Sequence, residues 1–211
     1  QQLKMLRRYA LSLHGCGSAL MRQGQYHQAL PDLLAALELF QQLGQRHHIA
    51  QTQLELGNLS FFTGQWEAAL AYYLRSEATF ETAAIHGSAI AARRNRATVY
   101  RAQKRYAEAD ALLHDCEARA RELGLQSELA PIWQEQANLL AATGAYRAST
   151  EKFRQARQEF LAGQNQLGAA DCAIEQGQHA LDRRDVATAE ALFRQAEPAL
   201  AQHPHHLLQR N

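Results

Sequence analysis

Apolar residues recur with the period of an α-helix along the whole chain. In the first segment Leu6, Ala10, Leu13, Gly17 and Leu20 share one helical face, because they are spaced by three or four residues. No run shows the period-two alternation of apolar and polar residues that indicates a β-strand. Breaks at glycine or polar residues leave ten helical segments, residues 3–23, 26–43, 47–63, 66–83, 87–103, 106–123, 127–143, 146–162, 166–183 and 186–202. The pattern predicts an all-α protein without a sheet.

The predicted helices are separated by short linkers, several of which contain glycine. Gly44 follows the second helix, and Gly124 and Gly163 follow later ones, where a residue in the left-handed conformation commonly ends a helix. Linkers this short make consecutive helices antiparallel neighbours. The sequence therefore predicts a series of helical hairpins.

The hairpins repeat with a constant period of forty residues. Gly24, Gly64 and Gly144 are separated by multiples of forty, and Lys104 and Arg184 occupy the intervening positions. Internal repetition at roughly this length is typical of stacked-repeat architectures. We interpret the chain as a single repeat domain of residues 1–211, with repeats at approximately 3–43, 47–83, 87–123, 127–163 and 166–202.

Columns of small and large residues accompany the repeat. Three columns contain small residues. The first, in the odd-numbered helices, is Gly17, Gly57, Ala97, Ala137 and Gly177. The other two, in the even-numbered helices, are Ala29, Ala69, Ala109, Ser149 and Ala189, and seven residues later Ala36, Ser76, Cys116, Ala156 and Ala196. The large columns are Leu33, Tyr73, Leu113, Phe153 and Phe193, and Phe40, Phe80, Phe160 and Leu200. Small residues let two helices approach closely, and bulkier ones would cost about 1–3 kcal/mol by overpacking. We expect the large residues to fill the space between one hairpin and the next.

These columns resemble the tetratricopeptide repeat, whose turn glycine and following aromatic residue correspond to Gly64 and Trp66. The forty-residue period resembles the extended variety found in kinesin light chains, mitotic-orientation adaptors, bacterial peptide-pheromone receptors and sensor segments of large bacterial regulators. The resemblance implies a right-handed α-solenoid of five antiparallel helical hairpins. It also implies a concave groove, lined by the odd-numbered helices, that binds an extended or helical peptide of a partner protein.

Candidate binding residues lie on the odd-numbered helices beside the small column. Asn58 and Asn138 directly follow a small residue, and the resemblance implies that asparagine there hydrogen-bonds the backbone of a bound peptide. Arg94 and Arg101 could hold a carboxylate with two parallel hydrogen bonds. The alternative is that these side chains are solvated and have no dedicated ligand. The predicted groove comprises Asn58, Arg94, Thr98, Arg101, Gln134 and Asn138.

Charge and composition argue against nucleic acid and membrane as partners. With 22 Lys+Arg against 21 Asp+Glu the net charge is +1, which creates no attractive field for nucleic acid. The arginine-rich run at residues 93–96 spreads over different helical faces without interleaved aromatic residues. No stretch has the length and apolarity of a membrane helix. The three widely spaced cysteines are typical of reduced thiols, which predicts a cytoplasmic location.

No pattern of catalytic or metal-binding residues can be assembled from the sequence. His47, His48 and the tail histidines His203, His205 and His206 could bind zinc, but no cysteine or carboxylate completes a recognised spacing. Glutamates recur at one register, at Glu55, Glu135 and Glu175, which a repeated helix position explains without acid–base chemistry. We therefore predict no enzyme activity, no metal and no cofactor.

Three functional hypotheses remain. The first is a non-enzymatic module that binds a protein or peptide in the groove. The second is a ligand-sensing regulatory domain of a larger bacterial signalling protein, attached to a transcription-activator or caspase-like effector. The third is a scaffold that self-associates through its exposed end helices. The chain begins with Gln1 rather than methionine, and we interpret it as a segment of a longer protein.

Overall fold

A computed structural model describes residues 1–202, and this part of the chain consists of α-helices joined by turns without any strand. The ten helices are α1 (Gln2–Arg22), α2 (Tyr26–Gln42), α3 (Arg46–Phe62), α4 (Trp66–Thr82), α5 (His86–Ala102), α6 (Tyr106–Glu122), α7 (Gln126–Ala142), α8 (Tyr146–Ala162), α9 (Gln166–Asp182) and α10 (Val186–Ala201). Most ends fall within one residue of those expected from the sequence.

The chain divides into two compact units. The first, Gln1–Val99, contains α1 to α4 and most of α5, and the second begins at Tyr100 and contains α6 to α10. In the first unit α1 packs on α2 and α3 on α4, and α2 also contacts α3. In the second unit α7 packs on α8 and α9 on α10, while α6 contacts α7 and α8 contacts α9. The predicted all-α architecture of consecutive helical hairpins is confirmed.

Every linker between described helices has three residues, and its middle residue adopts a left-handed conformation. These nine residues have φ between 55° and 82° and are Gly24, Gly44, Gly64, Ala84, Lys104, Gly124, Gly144, Gln164 and Arg184. The next residue donates its backbone N–H to the carbonyl five residues earlier, as from Gln65 to Ser60 at 2.7 Å. This Schellman arrangement satisfies carbonyls that the helix end would leave unpaired. A 17-residue helix and a three-residue turn thus give each element from α2 to α9 a length of twenty residues.

One predicted turn glycine is displaced from the left-handed position. Gly44 and Gly124 have φ of 63° and 66°, as expected, whereas Gly163 has φ of −80° and only caps α8. The left-handed residue there is Gln164, with φ of 57°. The turn length is constant, so the position one residue after Gly163 must reverse the chain whatever its side chain.

The small column of the odd-numbered helices lies directly under large side chains of the even-numbered helices. A Cβ atom added to Gly57 would lie 2.5 Å from Cε1 of Tyr73, and one added to Gly177 would lie 2.5 Å from Cε1 of Phe193. The first large column therefore packs inside its own hairpin, which differs from the expectation that it fills the space between one hairpin and the next. Leu33 does both, because it also belongs to a buried cluster with Leu56 and Leu59 of α3.

The second large column reaches the following hairpin, as expected. The ring of Phe40 in α2 stacks on His48 of α3 with 4.8 Å between ring centroids. Phe160 in α8 covers Gly168 of α9, where an added Cβ would lie 2.6 Å from its Cδ1. One column thus closes each hairpin, and the other joins it to its neighbour.

The contact at Gly57 predicts a clear stability effect. Gly57→Ala should lower the free energy of unfolding by about 1 kcal/mol, because overpacking of about 1–3 kcal/mol exceeds the helix-propensity gain of alanine. Gly15→Ala is the matched control, since an added Cβ at this helical position meets nothing within 4 Å. It should leave stability equal or raise it by up to about 1 kcal/mol. Urea denaturation measures both, and equal stabilities of the two variants would contradict the packing argument.

The turn geometry predicts opposite effects of exchanging alanine and glycine. Ala84 has φ of 55°, and relief of its left-handed strain should let Ala84→Gly raise stability by about 0.5 kcal/mol after the greater chain entropy of glycine is subtracted. The reverse change, Gly64→Ala, should lower stability by about 1 kcal/mol. An added Cβ at Gly64 meets nothing within 4 Å, so only the backbone is tested. Thermal denaturation showing the same sign for both changes would refute this interpretation.

Candidate functional site

The predicted binding residues are distributed over three odd-numbered helices and both compact units. The first unit holds Asn58, Arg94 and Thr98, and the second holds Arg101, Gln134 and Asn138. Five of the six are half-buried, as expected for side chains beside a helix–helix contact. Asn138 differs, because it is only 5% exposed.

The Asn58 side chain is oriented by two hydrogen bonds to its carbonyl oxygen. The Tyr73 hydroxyl donates to Asn58 Oδ1 at 2.7 Å, and Asn95 Nδ2 donates to the same atom at 3.1 Å. No residue within 1–202 accepts a hydrogen bond from the Asn58 Nδ2 group. Asn58 therefore combines a fixed orientation with amide donors that are available to another molecule.

The Asn138 side chain has both ends of its amide engaged by α9. Its Nδ2 donates to Glu175 Oε2 at 2.9 Å, and its Oδ1 lies 3.1 Å from Nε2 of His179. Gln134 Nε2 donates to the same Glu175 oxygen at 2.8 Å. Burial lowers the pKa of His179, with a partly opposing effect of Asp182, so the imidazole is neutral near pH 7 and Nε2–H can donate to Asn138. Asn138 and Gln134 thus join α7 to α9.

These contacts belong to a regular set of bonds between odd-numbered helices. The residue two positions before each small residue bonds to the preceding odd-numbered helix. Ser18 Oγ donates to Glu55 Oε2 at 2.5 Å in the first unit, and Arg101 pairs with Glu135 at 3.4 Å in the second. The recurrence of these glutamates is visible in the sequence, but their partners are not. The recurrence reflects side-by-side packing of the odd-numbered helices within each unit.

The arginine-rich run of α5 contains two different kinds of side chain. Arg93 Nε and Arg96 Nη1 contact the buried carboxylate of Glu77 at 2.7 and 2.6 Å. The Arg94 side chain makes no hydrogen bond or ion pair with any residue that the structure describes, and its Nε is buried without an acceptor. Thr98 Oγ1 donates to the Arg94 backbone carbonyl at 3.3 Å. Of the cluster, only Arg94 retains its full capacity to bind an anion.

Residues 8–82 match the family model of the tetratricopeptide repeat. This segment belongs to the tetratricopeptide repeat family. The resemblance inferred from the columns of small and large residues is therefore confirmed. A comparison with curated proteins gave no match.

Solved structures resemble this repeat protein beyond the matched segment. A Rap protein complexed with competence and sporulation factor has a TM-score of 0.71 and 20% identity, over 88% of this chain and 51% of its own. Aspartyl phosphate phosphatase F from Bacillus subtilis has a TM-score of 0.71 and 11% identity, over 95% of this chain and 61% of its own. TPR-like repeats described as a kinesin light chain from Podosopora anserina have a TM-score of 0.59 and 20% identity, over 98% and 99%.

These similarities concern the fold alone, because the identities are low. The repeat protein spans about half the length of the Rap protein and about three fifths of the phosphatase. What those two proteins bind or catalyse therefore cannot be assigned to this chain from the similarity.

A carboxylate outside the predicted binding residues joins α6 to α7 in the second unit. Glu117 of α6 accepts hydrogen bonds from Trp133 Nε1 and Gln136 Nε2 of α7, both at 2.9 Å. Burial raises the pKa of Glu117, but hydrogen bonds from Arg121, Trp133 and Gln136 and the charge of Lys152 outweigh it and lower the pKa from 4.5 to about 2. Sequence analysis missed Glu117, although Glu77 stands forty residues earlier and has the corresponding role.

Glu117 should make stability depend on pH in the acid range. Its folded-state pKa is lowered, so its contribution is complete above pH 4.5 and is lost as the pH falls toward about 2. Glu117→Gln should cost about 2 kcal/mol at pH 7, the range for a hydrogen-bonded charged group. Glu122→Gln, an exposed change in the same helix, is the control and should have almost no effect. Urea denaturation between pH 2 and 7 would refute the assignment if the cost of Glu117→Gln did not shrink toward low pH.

The described residues bear on the hypotheses of metal binding, membrane insertion and self-association. Within residues 1–202 no group of three or more His, Cys, Asp or Glu side chains could hold a metal ion, and no helix has the length and apolarity to cross a membrane. His203, His205 and His206 lie outside the described residues. The end helix α1 exposes Leu3 and Met5, at 70% and 68%. Self-association through the end helices stays a prediction.

Proposed function

We propose that the repeat protein is a non-enzymatic module that binds a protein or peptide on the face of its odd-numbered helices. The residues proposed for binding are Asn58, Arg94 and Thr98 in the first unit and Arg101, Gln134 and Asn138 in the second. The proposal is supported by the tetratricopeptide repeats of residues 8–82 and by the similarity to a Rap protein that was solved in complex with competence and sporulation factor.

The observation that carries the proposal is the unoccupied amide donor of Asn58. Two donors hold its carbonyl oxygen in place, so Nδ2 is pre-oriented and a bound peptide carbonyl could accept from it without rearrangement. One such hydrogen bond contributes about 1 kcal/mol. Asn138 would first have to give up Glu175 and His179. We therefore assign the direct backbone contact to Asn58 and a supporting role to Asn138.

The proposal contains no catalytic step. Glu55, Glu135 and Glu175 are the recurring carboxylates of the odd-numbered helices, and each of them is engaged with a neighbouring odd-numbered helix. The phosphatase name of one structural neighbour concerns that protein, of which this chain spans 61%.

The proposed role of Asn58 can be tested with selected peptides. Peptides are selected from a random phage-displayed library on the wild-type protein, and their affinity for Asn58→Asp is then measured by fluorescence anisotropy. Aspartate keeps the acceptor for Tyr73 and Asn95 but loses the donors, so affinity should fall about fivefold, which corresponds to about 1 kcal/mol for one hydrogen bond. The loss should persist at high salt, which screens charge repulsion between the new carboxylate and the peptide.

Two controls separate binding from stability. Asn138→Ala should lower the free energy of unfolding by about 1–2 kcal/mol, because it leaves buried partners unsatisfied, whereas Asn58→Asp should change it little. Arg75→Gln on the exposed side of α4 should change neither property. The proposal fails if no peptide is selected, or if Asn58→Asp binds the selected peptides as tightly as the wild type.

A further inference from the structure

Helix α5 carries four half-buried arginines, and one of them has no counter-ion. Arg93 and Arg96 share Glu77, and Arg101 pairs with Glu135. Among the described residues nothing accepts a hydrogen bond from Arg94, whose Nε is excluded from solvent. A buried donor without an acceptor is unfavourable, more so when it is charged, and such a group in a folded protein calls for an explanation.

The position of Arg94 is one from which one other repeat donates a hydrogen bond to a carboxylate. Forty residues later, Gln134 donates to Glu175 at 2.8 Å. Within the second unit Glu135, forty residues before Glu175, is paired with Arg101. Glu77 is likewise occupied by two arginines. Among residues 1–202 Arg94 is therefore a charged donor that lacks an acceptor.

We propose that Arg94 binds a side-chain carboxylate of the partner peptide; the inference rests on the proposed function of the same face. A guanidinium can hold both carboxylate oxygens through two parallel hydrogen bonds, and an ammonium lacks this geometry. The proposed carboxylate is that of an aspartate or glutamate side chain.

The neighbouring polar group fits the same peptide. Asn95, next to Arg94 in α5, donates to Asn58 of α3 at 3.1 Å, which places the two helices in direct side-chain contact there. The free donors of Asn58 would bind the peptide backbone, and Arg94 would bind an acidic side chain close to that point. The first unit thus specifies a peptide with one acidic residue near a backbone carbonyl that accepts from Asn58.

Parallel selections test the assignment. A random peptide library displayed with its C-terminus fused to the coat protein, so that every carboxylate comes from a side chain, is selected on the wild type, Arg94→Gln and Arg94→Glu. Wild-type peptides should share an aspartate or glutamate at one position, Arg94→Gln should not enrich it, and Arg94→Glu should enrich lysine or arginine there. Changing that acidic residue to its amide should weaken binding to the wild type about tenfold and leave binding to Arg94→Gln unchanged.

Neighbouring arginines provide the matched controls. Arg93→Gln should lower the melting temperature, because it removes a partner of Glu77, and should leave the acidic preference intact. Arg94→Gln should melt at the wild-type temperature or above, since it removes an unpaired charge. Arg75→Gln should change neither property. A melting temperature of Arg94→Gln as low as that of Arg93→Gln would assign Arg94 an internal role and overturn the inference.

The selections also separate the two levels of the proposal. Peptides that bind the wild type without a shared acidic position, or with the same acidic position on Arg94→Gln, would overturn the role of Arg94 and leave peptide binding intact. Failure of the wild type to select any peptide would reject the proposed function together with this inference.

Discussion

The structure depends on close contact between a small residue of an odd-numbered helix and a large side chain of the next helix. Tyr73 lies so close to Gly57 that an added methyl group would be 2.5 Å from its ring, and Phe193 covers Gly177 equally closely. Such contacts allow only one crossing geometry for the two helices, because a shift along either helix axis would make large side chains collide. Each hairpin is thereby fixed before its polar side chains are considered.

Because the turn geometry is constant, the same helix–helix contact recurs in successive hairpins. Each three-residue linker reverses the chain through one left-handed residue and one backbone bond five residues back, as at Gly64 and Gln65. Glycine is favoured there, but Ala84 and Gln164 adopt the same conformation, because the hairpin contacts on both sides outweigh about 1–2 kcal/mol of strain. A residue forty positions later consequently has the same place in the next hairpin.

Sequence analysis could predict the features that depend on position alone. Helix ends, the small columns and the hairpin order follow from spacing, and they agree with the structure to about one residue. The left-handed conformation of Gln164 was missed because Gly163 stands beside it, although Gln164 lies forty residues after the turn glycine Gly124. The bonds of Glu117 also escaped prediction, since they depend on which polar residues the neighbouring helix presents rather than on periodicity.

Equal positions in a repeat do not imply equal roles. Asn58 and Asn138 occupy the same place, yet Tyr73 supplies a hydroxyl to the first, and Phe153 stands where the second would need one. Asn138 finds its partners on α9 instead and is buried by them. Whether a polar side chain can bind another molecule thus depends on the hydrogen bonds it already makes. In a repeat array, ligand contacts are best sought where the regular pattern of internal bonds lacks an acceptor, as it does at Arg94.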